Sequence, residues 1–335
     1  MEIHKRLAVT LGMSPRRTLV TGGSGFIGTN LVEALLESGR EVLNLDLSPP
    51  RNPVQSGCHR RIDLLDRSAL AKAIEAFQPQ EVIHLAARTD YAGKDAHAYA
   101  VNTEGTRNLL TALVENAEVQ RCLFTSSMMA RAVTGPARAP GDLYADSKAR
   151  AEALVMQASA LASPWCIVRP VSIWGPWFAE PFRDYFLAIA RGRYRHPGAI
   201  NPRKQMGYVG NVVFQMLALL DAEPQRIHRR TFYLADDEIV TLQEWTLMIA
   251  AALGKPAPGA LPDAAIRLAA GLGDLLQLLG WASPPMHSAR LRNMRMDSVD
   301  YPVAAMREIA PALPYTVAAG VAETVAWLRR EALIA

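Results

Sequence analysis

The run Thr21-Gly22-Gly23-Ser24-Gly25-Phe26-Ile27-Gly28 limits this 335-residue chain more than any other feature. It follows a short β-branched and aliphatic stretch, Thr18 to Thr21, that reads as a strand. It leads into a helical pattern from Phe26 to Ser38 that Gly39 ends. Glycines between a strand and a helix have mechanical roles. They allow a tight turn, admit a pyrophosphate close to the backbone, and let the helix sit tightly on the strand, so that the N–H groups around Phe26 and Ile27 meet the anion. Asp46 closes the next strand, Glu41 to Leu47, 18 residues beyond Gly28, where a carboxylate can accept hydrogen bonds from an adenine-side ribose. That carboxylate favours NAD and repels the 2′-phosphate of NADP, with Arg51 five residues on keeping NADP as the alternative.

The strand-then-helix rhythm continues. Arg67 to Ala76 reads as a helix, Glu81 to Ala86 as a strand, Asn102 to Asn116 as a helix, Arg121 to Ser126 as a strand, Tyr144 to Ser159 as a helix and Trp165 to Pro170 as a strand. Such alternation predicts an α/β fold, a Rossmann-like doubly wound parallel sheet. After Trp174 the pattern gives way to Pro and Gly punctuation, Arg-rich loops and Ala/Leu-rich helices such as Thr241 to Leu253 and Val317 to Glu331. The expected organisation is an N-terminal extension over 1–15, a dinucleotide-binding domain over 16–175, and a smaller, mainly helical C-terminal substrate lobe over 176–335 with some segments returning to the sheet.

Composition narrows the class. Half of the residues are hydrophobic and 20% are charged, which excludes a disordered or low-complexity chain. A net charge of +4 is too thin to imply nucleic-acid binding. Cys58, Cys122 and Cys166 are odd in number and widely spaced, so they form neither a disulfide framework nor a metal site, which points to the cytoplasm. The stretch from Ala264 to Trp281 is interrupted by Arg267, Asp274 and Gln277, so no membrane span is expected.

Tyr144 and Lys148 are four residues apart on a predicted helix and so project from one face. A nearby ammonium favours a phenolate, lowering the tyrosine pKa toward working pH and making it an acid and base. Ser127 sits past the end of a strand, where α/β sheets place ligands, and its hydroxyl can hold a substrate oxygen against Tyr144. Each residue alone is ordinary, since Tyr-x-x-x-Lys also arises as a surface pair.

In combination these motifs resemble the extended short-chain dehydrogenase/reductase superfamily, in its NAD-dependent epimerase/dehydratase branch. The resemblance runs through Gly22, Gly25 and Gly28, Asp46, Asp63-Leu64, His84-Leu85-Ala86-Ala87, Asn102, Ser126-Ser127, Tyr144-x-x-x-Lys148, Arg169-Pro170 and Trp174-Gly175-Pro176. It implies that Asp63 and Leu64 contact adenine and that Ala86 and Ala87 line the cofactor groove. It also implies that Tyr144 is the acid/base, that Lys148 holds the nicotinamide ribose and that Ser127 binds the reacting oxygen. For His84 and Asn102, buried packing is the simpler expectation. Relatives commonly dimerise through helices matching those near Asn102 and Tyr144, so a homodimer is expected.

Departures from the family pattern narrow the reaction. Sugar 4,6-dehydratases carry an acidic residue just after the position of Ser127, whereas this chain has Met128 and Met129, and thioethers transfer no protons. Oxidation, reduction and epimerisation remain. Ser172 stands where UDP-galactose 4-epimerases have an asparagine, and the family's Arg-Asp-Phe-Val-x-Val-x-Asp stretch survives only as Lys204 to Asn211. Ser172 and Lys204 are thus the candidate substrate residues, and Arg183, Arg191, Arg193, Arg195 and Arg203 add a basic cluster suited to a diphosphate or simply exposed to solvent. Three functions fit: an epimerase or related oxidoreductase of a nucleotide-activated sugar, a dehydrogenase or ketoreductase of an apolar alcohol of the hydroxysteroid type, and a non-catalytic NAD-sensing protein. The apolar reading draws on Leu261 to Trp281, although packing into a core is the simpler role for those leucines and alanines.

Overall fold

A computed structural model describes residues 15–334 apart from 91, 116–118, 134–141, 199–200, 282–283 and 285. Most of the expected extension 1–15, and Asn116 at the expected end of a helix, lie outside these residues. The described chain divides into two units, one built from residues up to Val171 with Val209–Leu234 and Pro302–Leu313, the other from Ser172–Tyr208, Ala235–Tyr301 and the residues from Pro314 on.

The first unit is organised by a seven-stranded sheet. Six strands come in sequence: β1 (Arg17–Thr21), β2 (Glu41–Asp46), β3 (His59–Arg61), β4 (Glu81–His84), β5 (Arg121–Thr125) and β6 (Trp165–Pro170). The seventh, Arg230–Leu234, is inserted beside β6, giving the order Arg230–Leu234, β6, β5, β4, β1, β2, β3. Every pairing is parallel. The order reverses between β1 and β4, where a doubly wound sheet opens a crevice at the carboxyl ends of its strands. Helices α1 (Phe26–Glu37), α2 (Arg67–Phe77), α3 (Thr106–Val114) and α4 (Leu143–Gln157) connect the strands. Parallel strands covered on both faces should be continuously apolar, and β1 complies: Leu19 and Val20 are fully buried, as are Leu31, Val32 and Leu35 of α1. Caps fix two helix starts that matter for the site. Asp66 accepts the Ala69 N–H at 3.0 Å ahead of α2, and Asp142 accepts the Ala145 N–H at 3.0 Å ahead of α4.

Two strands of this sheet are absent from the sequence reading. His59–Arg61 is too short to show a period, and Arg230–Leu234 falls in the half of the chain read as a mainly helical lobe, of which only unnamed segments are expected to return to the sheet. The helix expected from Asn102 is also altered. It begins as a π turn over Val101–Gly105 because Asn102 turns inward to hold the loop after β4.

The second unit contains a three-stranded sheet, in which Ile239–Thr241 pairs antiparallel with Arg203–Tyr208, which in turn pairs parallel with Ser172–Trp174. Its core is aromatic. The Trp174 ring lies against Phe186, Tyr208 and Trp245, and Tyr185 stacks on Trp245 with centroids 5.1 Å apart. The helix Asp263–Leu278 corrects an expectation. Its leucines are not core: Leu268 is 77% exposed and Leu278 85%, while only Ile266, Ala270 and Gly273 are buried. No described helix is long and apolar enough to cross a membrane.

Candidate active site

The glycine turn joins β1 to α1 under tight constraint. Gly22 has φ +75°, and a Cβ there would lie 2.5 Å from the Ala86 nitrogen; a Cβ on Gly28 would lie 2.3 Å from the Gly22 carbonyl oxygen. Any other residue would push the carboxyl ends of β1 and β4 apart or lift the helix from the strand. Gly25 caps α1 without a side-chain hydrogen bond, and no acidic residue occupies the helix's first turn. The positive end of α1 therefore receives no carboxylate from its own sequence, as a pyrophosphate site requires. Asn44, fully buried on β2, donates to the Ser24 hydroxyl at 3.1 Å and so pins the loop. The sequence reading misses this residue; its signal is a lone amide within the apolar run of β2.

Asp46 ends β2 half-buried, accepting the Ser24 N–H at 3.1 Å and the Ser48 N–H at 2.9 Å. Two backbone donors hold the carboxylate rigidly beside the glycine turn, with lone pairs remaining for ribose hydroxyls. Asp63 accepts the Leu65 N–H at 2.9 Å. The Leu64 side chain is core, at 4% exposure, and its carbonyl takes the Asn108 amide at 2.9 Å, so Leu64 can offer a base only its backbone. Ala86 and Ala87 are half-buried at the end of β4, with Ala86 directly against Gly22. A small-residue cleft with a carboxylate on one side and an uncapped helix end below fits a dinucleotide.

The catalytic candidates meet on α4. Tyr144 is buried at 8% exposure, and its hydroxyl hydrogen-bonds with Ser127 just past β5. The Ser127 oxygen also accepts the Met129 N–H at 3.2 Å. Tyr99 lies beside Tyr144, ring centroids 6.5 Å apart, anchored by its own hydroxyl donating to the Asp90 carbonyl. Lys148 lies one turn further along, 5% exposed, and donates to the Thr125 carbonyl at 3.0 Å.

The electrostatics differ from expectation. The Tyr144 hydroxyl is held above its usual pKa, first by burial, with the Ser127 hydrogen bond pulling the other way and the Asp142 and Tyr99 charges adding to the rise. Burial outweighs any help from Lys148, whose ammonium donates to the Thr125 carbonyl. Burial instead lowers the pKa of Lys148 itself to about 8, the Glu152 carboxylate opposing the shift. Glu152 follows Lys148 by the same four-residue step that separates Tyr144 from Lys148, so three chemically active side chains share one stripe of α4. Its carboxylate grips Arg169 of β6 through two bonds, at 2.6 and 2.8 Å, and Arg169 donates onward to the Tyr233 hydroxyl at 2.9 Å. The sequence reading does not extend the stripe to Glu152, although the spacing is there to continue.

His84 and Asn102 pack as expected. His84 bridges Thr21 and Thr106 at 2.7 and 2.9 Å, and burial followed by the charge of Lys148 lowers its pKa to about 3, so it stays neutral. Asn102 accepts the Arg88 N–H at 2.7 Å and donates to the Ser147 hydroxyl at 2.8 Å, tying the loop after β4 to α4. In the second unit, Ser172 is half-buried on its strand and Lys204 donates to the Met296 carbonyl. The basic cluster is partly spent within that unit: Arg203 pairs with Asp297, Arg183 with Asp184, and Arg195 donates to the Gly192 and Tyr194 carbonyls.

Residues 18–235 match the family model for the NAD dependent epimerase/dehydratase family. The chain belongs to that family. It is 29% identical over 271 residues to a 3-beta-hydroxysteroid dehydrogenase of Mycolicibacterium neoaurum, covering 74% of this chain and 73% of that one. It is 30% identical over 274 residues to the 4-hydroxy-2-methyl-3-oxo-4-farnesyl-3,4-dihydroquinoline-1-oxide ketoreductase of Stigmatella aurantiaca, covering 78% of this chain and 80% of that one. Among solved structures it is similar to the UDP-glucose 4-epimerase of Thermus thermophilus in complex with NAD, with a TM-score of 0.68, 25% identity, and 93% and 99% of the two chains covered. Membership of the epimerase/dehydratase family makes this an extended short-chain dehydrogenase by fold and an NAD-dependent enzyme by class.

Proposed function

We propose that the protein interconverts a secondary alcohol and its ketone with NAD, and that it does so as an epimerase of a nucleotide-activated sugar. The observation that carries the chemistry is the hydrogen bond between Tyr144 and Ser127, with Lys148 on the same helical stripe. Ser127 holds the substrate oxygen, and Tyr144 takes the carbinol proton on oxidation and returns it on reduction. Lys148, buried and basic, is the cation available to the ribose beside it. When bound, NAD accepts and donates the hydride. Asp46 selects NAD over NADP, since a second phosphate would meet a carboxylate fixed by two backbone donors. Met128 and Met129 follow Ser127 where elimination chemistry needs an acid, which leaves epimerisation or simple redox.

The sugar reading draws support from the 25% identity with a UDP-glucose 4-epimerase along nearly the whole chain and from the exposed Arg191 and Arg193. A second reading, oxidation of an apolar alcohol, is favoured by the dehydrogenase and ketoreductase that resemble this chain at 29% and 30% identity. The chemistry at Tyr144 is common to both. Incubating the pure protein with UDP-, GDP- and dTDP-sugars and resolving the products decides between them. Inverted sugar without net change in NADH absorbance supports the epimerase. Unchanged sugars together with NADH consumption on steroid-like or flavonoid-like ketones would replace it with the second reading, and inactivity on both panels would refute both.

A further inference from the structure

We infer that the helix Asp263–Leu278 is a docking surface for an anionic lipid bilayer. Leu268, Leu272, Leu275 and the capping Leu279 recur at steps of four, three and four residues, so they form one stripe along the helix, and they are 77%, 57%, 51% and 75% exposed. Leu278, 85% exposed, widens the stripe, and Leu261 and Trp281, 40% and 51% exposed, extend it at either end. The opposite side faces inward, with Ile266 and Ala270 against Leu291 and Met286, and Gly273 so close to the Met286 carbonyl that no Cβ fits. The helix is thus amphipathic in the inverted sense, its larger apolar face directed to solvent. Scattered exposed leucines are ordinary on a protein, but a continuous stripe marks an interaction surface.

Shape and charge select the occupant. The stripe is a convex ridge about 16 Å long, from Leu268 to Leu279, on one helix at 1.5 Å per residue. Acyl chains conform to such a ridge, whereas a rigid protein partner must offer a matching groove. Acidic groups beside the ridge are already answered: Asp263 pairs with Arg267 and Arg295, and Asp274 accepts from Ser288. The neighbouring helix Ser288–Arg295, packed on the inner side through Leu291, adds the half-buried Arg290 and the exposed Arg292, the latter close enough to Asp274 for its charge to act on that carboxylate. Trp281 follows Gly280 at the helix end, where an indole ring suits the headgroup boundary. An exposed leucine ridge ending in a tryptophan, with the guanidinium groups of Arg290 and Arg292 on the next helix, matches an anionic bilayer with the helix lying in its plane.

The test is flotation of the full-length protein with vesicles of equal parts phosphatidylcholine and phosphatidylglycerol, and with phosphatidylcholine alone. The wild type is expected to float with the mixed vesicles. Leu268→Ser/Leu272→Ser/Leu275→Ser is expected to lower the partition coefficient at least ~10-fold, and Arg290→Glu/Arg292→Glu to abolish the preference for anionic lipid. The three leucines and Arg292 are exposed and Arg290 is half-buried, and a thermal melt checks that each variant is folded. A wild type that stays at the bottom of the gradient overturns the inference. If light scattering then finds a dimer that the serine variant splits, the stripe belongs to a second copy of the chain. Flotation reads binding and not turnover, so this result stands apart from the outcome of the sugar and ketone panels.

Discussion

The stripe of α4 and the stripe of Asp263–Leu278 use the same helical spacing to opposite ends. On α4, Tyr144, Lys148 and Glu152 turn inward and are fixed by polar partners on other elements: Ser127, the Thr125 carbonyl and Arg169. On Asp263–Leu278 the stripe is leucine, turned outward, and what fixes the helix is its narrow inner edge against Leu291 and Met286. A periodic pattern therefore says that side chains share a face but not which way the face looks. Residue chemistry settles the direction only when the groups need one another, as the buried lysine and carboxylate do.

The widest gap between the two stripes should appear on truncating Tyr144. Tyr144→Phe keeps the ring beside Tyr99 and removes the proton-transferring oxygen, so kcat should fall about 1000-fold while the affinity for NAD, read by titration calorimetry, stays within a few-fold. A variant retaining most of its activity would show that Tyr144 is a packing residue.

Lys148 should produce a smaller effect of opposite sign on stability. Its pKa falls from 10.5 to about 8 in the fold, so between those values the unfolded chain binds more protons, and stability contributed at this site rises as pH climbs from about 8 toward 10.5. Below pH 8 the buried ammonium destabilises by roughly 1–3 kcal/mol. Lys148→Met should accordingly be more stable than wild type at pH 7 by that order, lose the advantage by pH 10.5, and be catalytically impaired throughout. Urea denaturation at the two pH values checks the sign. A variant less stable at pH 7 would mean that the bond to Thr125 and the attraction of Glu152 outweigh burial.

Asp46 should matter less still. Asp46→Ala removes the ribose acceptor and the anchor of Ser24 and Ser48, and is expected to weaken NAD binding about 10-fold while narrowing its lead over NADP. An unchanged ratio of the two affinities would place cofactor choice elsewhere.

Legibility in the sequence divides along the same line as the two stripes. The glycine turn, Asp46, Ser127, Tyr144 and Lys148 can be nominated from the sequence because each is a residue type the proposed chemistry demands at a set distance from a strand end. The doubly wound sheet is readable from β/α alternation, except where a three-residue strand carries no period. Asn44 and Arg169 are opaque as supports because their partners, Ser24 and Glu152, are 20 and 17 residues away and meet them only through sheet order. The raised pKa of Tyr144 is hidden for a similar reason: a spacing of four gives proximity to Lys148 but cannot reveal how deeply the fold buries the phenol, nor the carbonyl on β5 that receives the ammonium. In the second unit the aromatic core around Trp174 and Trp245 gathers residues from four separate segments, and no local pattern announces it.

The smallest expected effect is the most discriminating between the two faces of Asp263–Leu278. Leu268 and Leu272 touch mostly water, so replacing either by serine removes little buried surface and should shift stability by less than about 0.5 kcal/mol. Ile266, on the inner face one turn before Ala270, sits at 3% exposure against Leu291. Ile266→Ala should lose about 2 kcal/mol, the low end for a buried aliphatic because the cluster around it is small and can close. Thermal melts of the three single variants measure the contrast. If Leu268→Ser or Leu272→Ser destabilised the free protein as much as Ile266→Ala, the outer leucines would already be packed in solution, and the ridge would have no apolar surface left to give to a bilayer.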